Sequence, residues 1–238
     1  MKGRYEMRAI VILFMMLTVA SAWAGTLVDD FSDGDFEGWT QSGAGSWRVE
    51  NKELIFENLN DVSVLFMGEA DWRDYTISVK AKFVNHQASN CCGEGIHFAA
   101  RGEQMLKCYY FFMGTWQQAG KQACAFYLPG ARVVRNFRSK AFIWDIDTWY
   151  HLKLTADGDE FQFYIDDELV LEYQDSTFDT GKVGFGGSFN STIIHFDDVV
   201  ITGDDVPDID MNLFVEDMGS SVVPKAKYTT TWAAIKHQ

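Results

Sequence analysis

Proline is scarce in this chain, three residues among 238, and its four cysteines are confined to the stretch from Cys91 to Cys124. Disulfides therefore cannot staple the fold from end to end; any bridge would tie one local region. Cations are few as well. Twenty Lys and Arg stand against 34 Asp and Glu, a formal charge of −14, which argues against nucleic acid and anionic membranes as partners. Beyond the first 24 residues no run is long and apolar enough to cross a bilayer. Helical periodicity with both caps is absent, and so is any internal repeat. The chain also lacks G-x-S-x-G, H-E-x-x-H and phosphate-loop motifs, which removes the commonest hydrolase and nucleotide chemistries.

What is plentiful is aromatic: 8 Trp, 9 Tyr and 19 Phe, enough for a sizeable core without disulfides. From Trp149 to Ile201 apolar residues recur at every second position, as in half-buried strands. Tyr150, Leu152 and Leu154 oppose His151, Lys153 and Thr155, and Asp157-Gly158 reads as a tight hairpin. Phe161, Phe163 and Ile165 follow, then a turn at Asp166-Asp167, then Leu169 and Leu171. Val183 and Phe185 open a fourth strand, and Ile194, Phe196, Asp198 and Val200 form the inward row of a fifth. The pattern predicts an all-β, antiparallel two-sheet sandwich.

Met1 to Ala24 reads as a secretory signal: Lys2, Arg4 and Arg8, an apolar run from Ala9 to Ala20, and an A-x-A site at Ala22-Trp23-Ala24. The expected domain runs over residues 25–203, and the mature protein is expected to be exported (secreted, periplasmic or cell surface) with no stable membrane insertion after signal cleavage. Beyond Gly203, GDDVPDID reads as an acidic linker, and the remainder to Gln238 as a mobile or loosely docked basic-ended tail.

Upstream, Trp47-Arg48-Val49-Glu50, a turn at Asn51-Lys52 and Leu54-Ile55-Phe56 read as a hairpin. Gly95 to Arg101 (GIHFAAR) and Cys108 to Gly114 (CYYFFMG) read as another. Alternation places His97, Ala99 and Arg101 on one strand face, with Tyr109, Tyr110, Phe112, Trp116, Tyr127 and Trp144 on or near neighbouring strands. Aromatic plates stack on the apolar faces of sugar rings while Arg and His donate to hydroxyls, so this group is the candidate ligand face. Arg101 is its most informative member, because an Arg among apolar neighbours must find an acceptor. In an exported chain at least one pair among Cys91, Cys92, Cys108 and Cys124 is expected to oxidise, with one of the adjacent two bonded to Cys108 or Cys124. Zinc is the poorer reading, since Cys91-Cys92 lacks the two-residue ligand spacing.

The order D-F…W…G-x-W-x-V…L (Phe31, Trp39, Trp47), W-x-x-Y (Trp72, Tyr75), W-Y-x-L-K-L, F-x-F-Y-I-D-D, G-x-V-G-F and F-D-D-V-V-I resembles the concanavalin A-like jelly rolls. Among them it is most similar to laminin-G-like domains, including those grouped with 3-keto-disaccharide hydrolases. The resemblance covers about residues 27–203 and implies a carbohydrate-binding module. It further implies a structural Ca²⁺ where first and last strands meet, held by Asp29 or Asp30 and by Asp197 or Asp198. The glucanase acid pair E-x-D-x-x-E of that superfamily is missing, so no catalytic residue is assigned. Two rival readings remain: a sugar-cleaving enzyme of the 3-keto-disaccharide hydrolase type, and an adhesive module that recruits a protein partner.

Overall fold

The computed structural model describes residues 24–58, 61–86, 93–188 and 192–214. Sixteen strands succeed one another: β1 (Gly25–Asp29), β2 (Thr40–Gly43), β3 (Ser46–Glu50), β4 (Glu53–Asn58), β5 (Val62–Met67), β6 (Tyr75–Asn85), β7 (Gly93–Gln104) and β8 (Lys107–Trp116). They continue as β9 (Lys121–Pro129), β10 (Arg135–Ala141), β11 (Tyr150–Asp157), β12 (Glu160–Ile165), β13 (Glu168–Gln174), β14 (Lys182–Ser188), β15 (Thr192–Gly203) and β16 (Ile209–Asp210). Among the described residues the only helical segments are two short 3₁₀ turns, Gln117–Ala119 and Met211–Phe214.

The strands form two sheets. One carries β13-β12-β11-β6-β15-β1-β16, with β4 also paired to β15 and to β3; the other runs β10-β9-β8-β7-β14-β5-β2. The sheets pack as a jelly-roll sandwich, as the alternation predicted. Its closure is the expected one: β1 lies antiparallel to β15, with Leu27 opposite Ile201 and Asp29 opposite Val199. Turn chemistry follows the sequence closely. Asn51 and Lys52 have φ of 54° and 66°, Asp166 and Asp167 of 49° and 63°, the left-handed pairs of two-residue hairpins. At the β11–β12 turn Asp157 pairs with Glu160, so the loop is Gly158-Asp159, one residue later than the expected Asp157-Gly158.

Two strands break their alternation. In β7 the register shifts after Ala100, and Arg101 sits at φ 49°. In β15 it shifts between Asp197 and Val200, with Asp198 at φ 50°. Each bulge inserts a residue and reverses the faces beyond it. Val199 and Ile201, rather than Asp198 and Val200, therefore carry the inward row of β15, and Asp198 turns out to solvent. Glycine accommodates the first bulge: a Cβ on Gly181, at φ 145°, would lie 2.6 Å from the carbonyl carbon of Arg101.

The segment expected to be an acidic linker is partly structured. Val206 is buried, β16 pairs in parallel with β1, and the Asp208 carboxylate accepts the Thr26 N–H at 2.9 Å. The signal segment and the far tail lie outside the described residues, as do Cys91 and Cys92.

Candidate functional site

The two sheets enclose the main core, which holds Phe98, Tyr109, Phe111, Phe161 and Phe163 among others. A second apolar cluster lies on the other face of the seven-stranded sheet: Val64, Ala99, Tyr110, Phe112, Cys124 and Phe126. Both faces of β7 and β8 are therefore buried, which is why GIHFAAR and CYYFFMG lack polar alternation. Met105, Leu106, Val134 and Phe137, from the β7–β8 turn and the β9–β10 connection and strand, pack over this outer cluster.

They leave a cavity of about 300 Å³, walled by Met105, Tyr110, Trp116 and Phe126, with His97 and Arg132 among its lining residues. Its aromatic rings are interlocked. Tyr110 stacks on Phe126 with centroids 5.4 Å apart, and Trp116 lies 4.6 Å from Phe137. Polar groups are few and mostly engaged. The Tyr110 hydroxyl donates to the Met105 carbonyl at 2.5 Å, and Arg132 pairs with Asp61 at 2.8 Å. Among the described residues no carboxylate lines the cavity itself.

His97 is the exception. It is 4% exposed, stacked on Phe112, with Nε2 2.5 Å from the Ser188 hydroxyl. Ser188 Oγ donates its proton to the Gly93 carbonyl at 3.0 Å and accepts the Gly95 N–H at 3.3 Å. Nε2 must then carry the imidazole proton, which leaves Nδ1 as a bare acceptor. That buried atom has no hydrogen-bond partner. Burial lowers the His97 pKa to about 3, so the ring is neutral at any ordinary pH.

The structure divides the predicted ligand group. His97, Tyr110 and Trp116 line the cavity together. Tyr109, Tyr127 and Trp144 sit on the opposite face, in or against the main core. There the Tyr109 hydroxyl binds Asp175, and the Trp144 indole donates to the Gly114 carbonyl. Arg101 is separated from His97 by the bulge. Its fully buried side chain reaches the carbonyls of Arg73, Phe178 and Gly158 and lies 4.8 Å over the Phe161 ring. The Arg does find acceptors, three main-chain carbonyls and the Asp74 carboxylate at 3.5 Å, and none of them faces the cavity. Sequence reasoning passed over Met105, Leu106, Phe126, Leu128, Arg132 and Val134 as lining residues; the signal available was the unbroken apolar run of β8 facing a basic connection.

Cys108 and Cys124 are buried free thiols whose pKa values burial pushes up. Cys108 is opposite Leu128 and Cys124 opposite Phe112, so four rungs, about 13 Å, separate them, too far for a bond.

The four aspartates proposed for calcium do not converge as a cage. Asp29 is 3% exposed, and its two oxygens accept the Trp39 indole N–H at 2.8 Å and the Phe31 N–H at 3.0 Å. Asp30 Oδ1 accepts the Ser32 N–H, Asp197 Oδ1 accepts the Asp198 N–H, and Asp198 pairs with Lys80 at 2.5 Å. Among the described residues no group of three or more His, Cys, Asp or Glu side chains is placed to hold a metal. A Ca²⁺ needs six to eight oxygens, and this donor set does not fit it.

A family model described as a 3-keto-alpha-glucoside-1,2-lyase-like domain matches residues 26–202. Levanase of Bacillus subtilis (strain 168) is 48% identical over 40 residues, 17% of this chain and 6% of that protein. An extracellular exo-alpha-L-arabinofuranosidase of Streptomyces chartreusis is 29% identical over 109 residues, 44% of this chain. The chain spans only 12% of the length of that second relative. Among solved structures, the Emp47p carbohydrate recognition domain superposes with a TM-score of 0.56 at 10% identity, covering 76% of this chain and 95% of that one. The VIP36 exoplasmic/lumenal domain, in a Ca²⁺/Man3GlcNAc-bound form, gives 0.53 at 11% identity over 73% of this chain and 86% of that one. These likenesses fix the concanavalin A-like fold.

Proposed function

The chain belongs to the 3-keto-alpha-glucoside-1,2-lyase-like domain family, and from that premise we propose an exported carbohydrate-binding protein that holds a sugar on the outer face of its seven-stranded sheet. The observation that carries the reading is the aromatic-walled cavity with His97 among its lining residues. Trp116 and Phe126 offer flat apolar surface for a sugar ring. The extracellular arabinofuranosidase and the carbohydrate recognition domains named above make a glycan the natural ligand class. Calcium is left out of this reading, because the aspartates that would hold it are engaged with N–H groups and Lys80.

Turnover is the second reading, favoured by the family match. Against it, hydrolysis by the common route needs two carboxyl groups flanking the bond, and none lines the cavity among the described residues. The adhesive reading would suit a smooth, polar sheet face; this one is apolar and hollowed.

A glycan-array screen of the full chain, with a sugar-release assay on every hit, separates the readings. Retention without release is the expected result. Release of sugar would move the assignment to the lytic enzyme, and retention of no glycan at all would end the carbohydrate reading.

A further inference from the structure

The chemistry of the cavity restricts which sugar it takes. This step rests on the carbohydrate reading. At about 300 Å³ the cavity lies at the lower end of ligand pockets, roughly 300–1,000 Å³, and suits one sugar unit rather than a chain. Its wall is built from the side chains of Met105, Leu106, Phe126, Leu128 and Val134. Of the polar groups, Tyr110 donates to the Met105 carbonyl and Arg132 is held by Asp61. His97 Nδ1 is buried within the fold and out of a ligand's reach, so the lining a sugar meets is chiefly apolar.

An ordinary hexose carries several hydroxyls, each of which weakens binding when it is buried unpaired. Replacing one by a methyl group removes that cost and adds apolar burial. A uronate or sulfated sugar would need an unengaged cation, and Arg132 already faces a carboxylate.

We propose that the cavity selects a neutral sugar bearing a methyl group, as a 6-deoxy or an acetylated unit, which packs that methyl among Met105, Leu106 and Leu128. Both kinds of unit offer the same chemistry, a methyl group in place of one hydroxyl or carried on the amide that replaces one.

The test is calorimetric titration of the full chain with matched methyl glycosides. Each 6-deoxy sugar is compared with its 6-hydroxyl parent of the same configuration, and each N-acetylhexosamine with its parent hexose. The methyl-bearing member should bind about 10-fold or more tighter, the ratio expected from one unpaired hydroxyl at about 1.4 kcal/mol per decade; the two arms identify which unit it is. Leu128→Asn should cut that preference to less than about 3-fold while Leu128→Met, which keeps the wall apolar, retains most of it. Melting temperatures of both variants separate lost recognition from lost structure. Equal or tighter binding of the parent hexoses, or of a uronate, would overturn the selectivity while leaving carbohydrate binding intact. Failure to bind any sugar in the panel or on the array would overturn both.

Discussion

The outward faces of the two sheets are opposites. On the nine-stranded sheet the outward positions of β6 and β11 are Thr76, Ser78 and Lys80 beside His151, Lys153 and Thr155, none of them buried. Their contacts are those of a wetted surface: Thr76 and Thr155 hydroxyls 3.2 Å apart, and Lys153 over the Tyr164 ring. On the seven-stranded sheet the outward positions of β7, β8 and β9 are His97, Ala99, Tyr110, Phe112, Cys124 and Phe126, all buried beneath the loops. One sheet uses its outer face for solubility and the other spends it on a second core with a hole in it. A hollow apolar layer adds less stability than a filled one, so the cavity is the feature that function must explain.

The comparison breaks if the two faces respond alike to truncation. Phe112 is fully buried in the outer cluster, and Phe112→Ala should cost about 3–5 kcal/mol. Thr155→Ala, at the matching depth of the other sheet, should cost less than about 1 kcal/mol. Urea unfolding of both variants reads the contrast directly. A Phe112→Ala loss as small as that of Thr155→Ala would mean that the loops do not seal the outer face in solution.

Much of this was legible from residue order. Period-two alternation gave β11 to β13, left-handed turn pairs such as Asn51-Lys52 and Asp166-Asp167 gave the hairpins, and the family motifs gave the closure of β1 on β15. Arg101 and Asp198 were misread because alternation is a count, and a bulge adds one residue to it without a mark in the side chains. Each error moved a charge to the wrong face. Arg101 left the ligand group, and Asp198 left the inward row. The cavity was half visible: His97, Tyr110 and Trp116 were expected there. Its lid was not, because Met105, Leu106 and Val134 come from the β7–β8 turn and the β9–β10 connection, whose path over the sheet no periodicity records.

Asp29 sharpens the contrast between solvated and buried acids. Unlike the acids on the outer face, it turns inward from β1 and is buried against Trp39. Burial raises its pKa from 3.8 to about 7, against the opposing pull of the Trp39 and Phe31 N–H groups. A carboxyl whose folded pKa exceeds its unfolded one contributes stability in full below about pH 4 and loses it as pH rises through 7. The loss should approach roughly 3–4 kcal/mol between pH 4 and 8, superimposed on the other titrations. Asp29→Asn should flatten that slope in urea midpoints taken across the range. An unchanged slope in the variant would show that Asp29 is already ionised and paired in the fold.

Arg101 tests the bulge itself. If its buried guanidinium ties the Arg73, Phe178 and Gly158 carbonyls together, Arg101→Met leaves these part-buried acceptors unpaired. The expected loss is about 2–3 kcal/mol, or roughly 4–12 °C in melting temperature for a domain of this size. Glycan affinity of the folded fraction should be unchanged, since the side chain lies on the far side of the sheet from the cavity. A variant that melts normally but no longer holds glycan would return Arg101 to the ligand group.

The smallest expected effect concerns the seam where β1 meets β15. A calcium ion bound there to the folded state alone would stabilise it by RT ln(1 + [L]/Kd), about 2.7 kcal/mol at a hundredfold excess over Kd, so chelation would lower the melting temperature by several degrees. The side chains present point the other way. Asp29 has both oxygens engaged by N–H donors, and Asp198 faces the Lys80 ammonium, a cation already where the ion would need its ligand. Excess chelator should therefore move the melting temperature by less than about 1 °C, and added Ca²⁺ should not raise it. A drop of several degrees on chelation, reversed by Ca²⁺, would require Asp198 to leave Lys80 and Asp29 to release its donors, and the seam of the solvated sheet would then be an ion site after all.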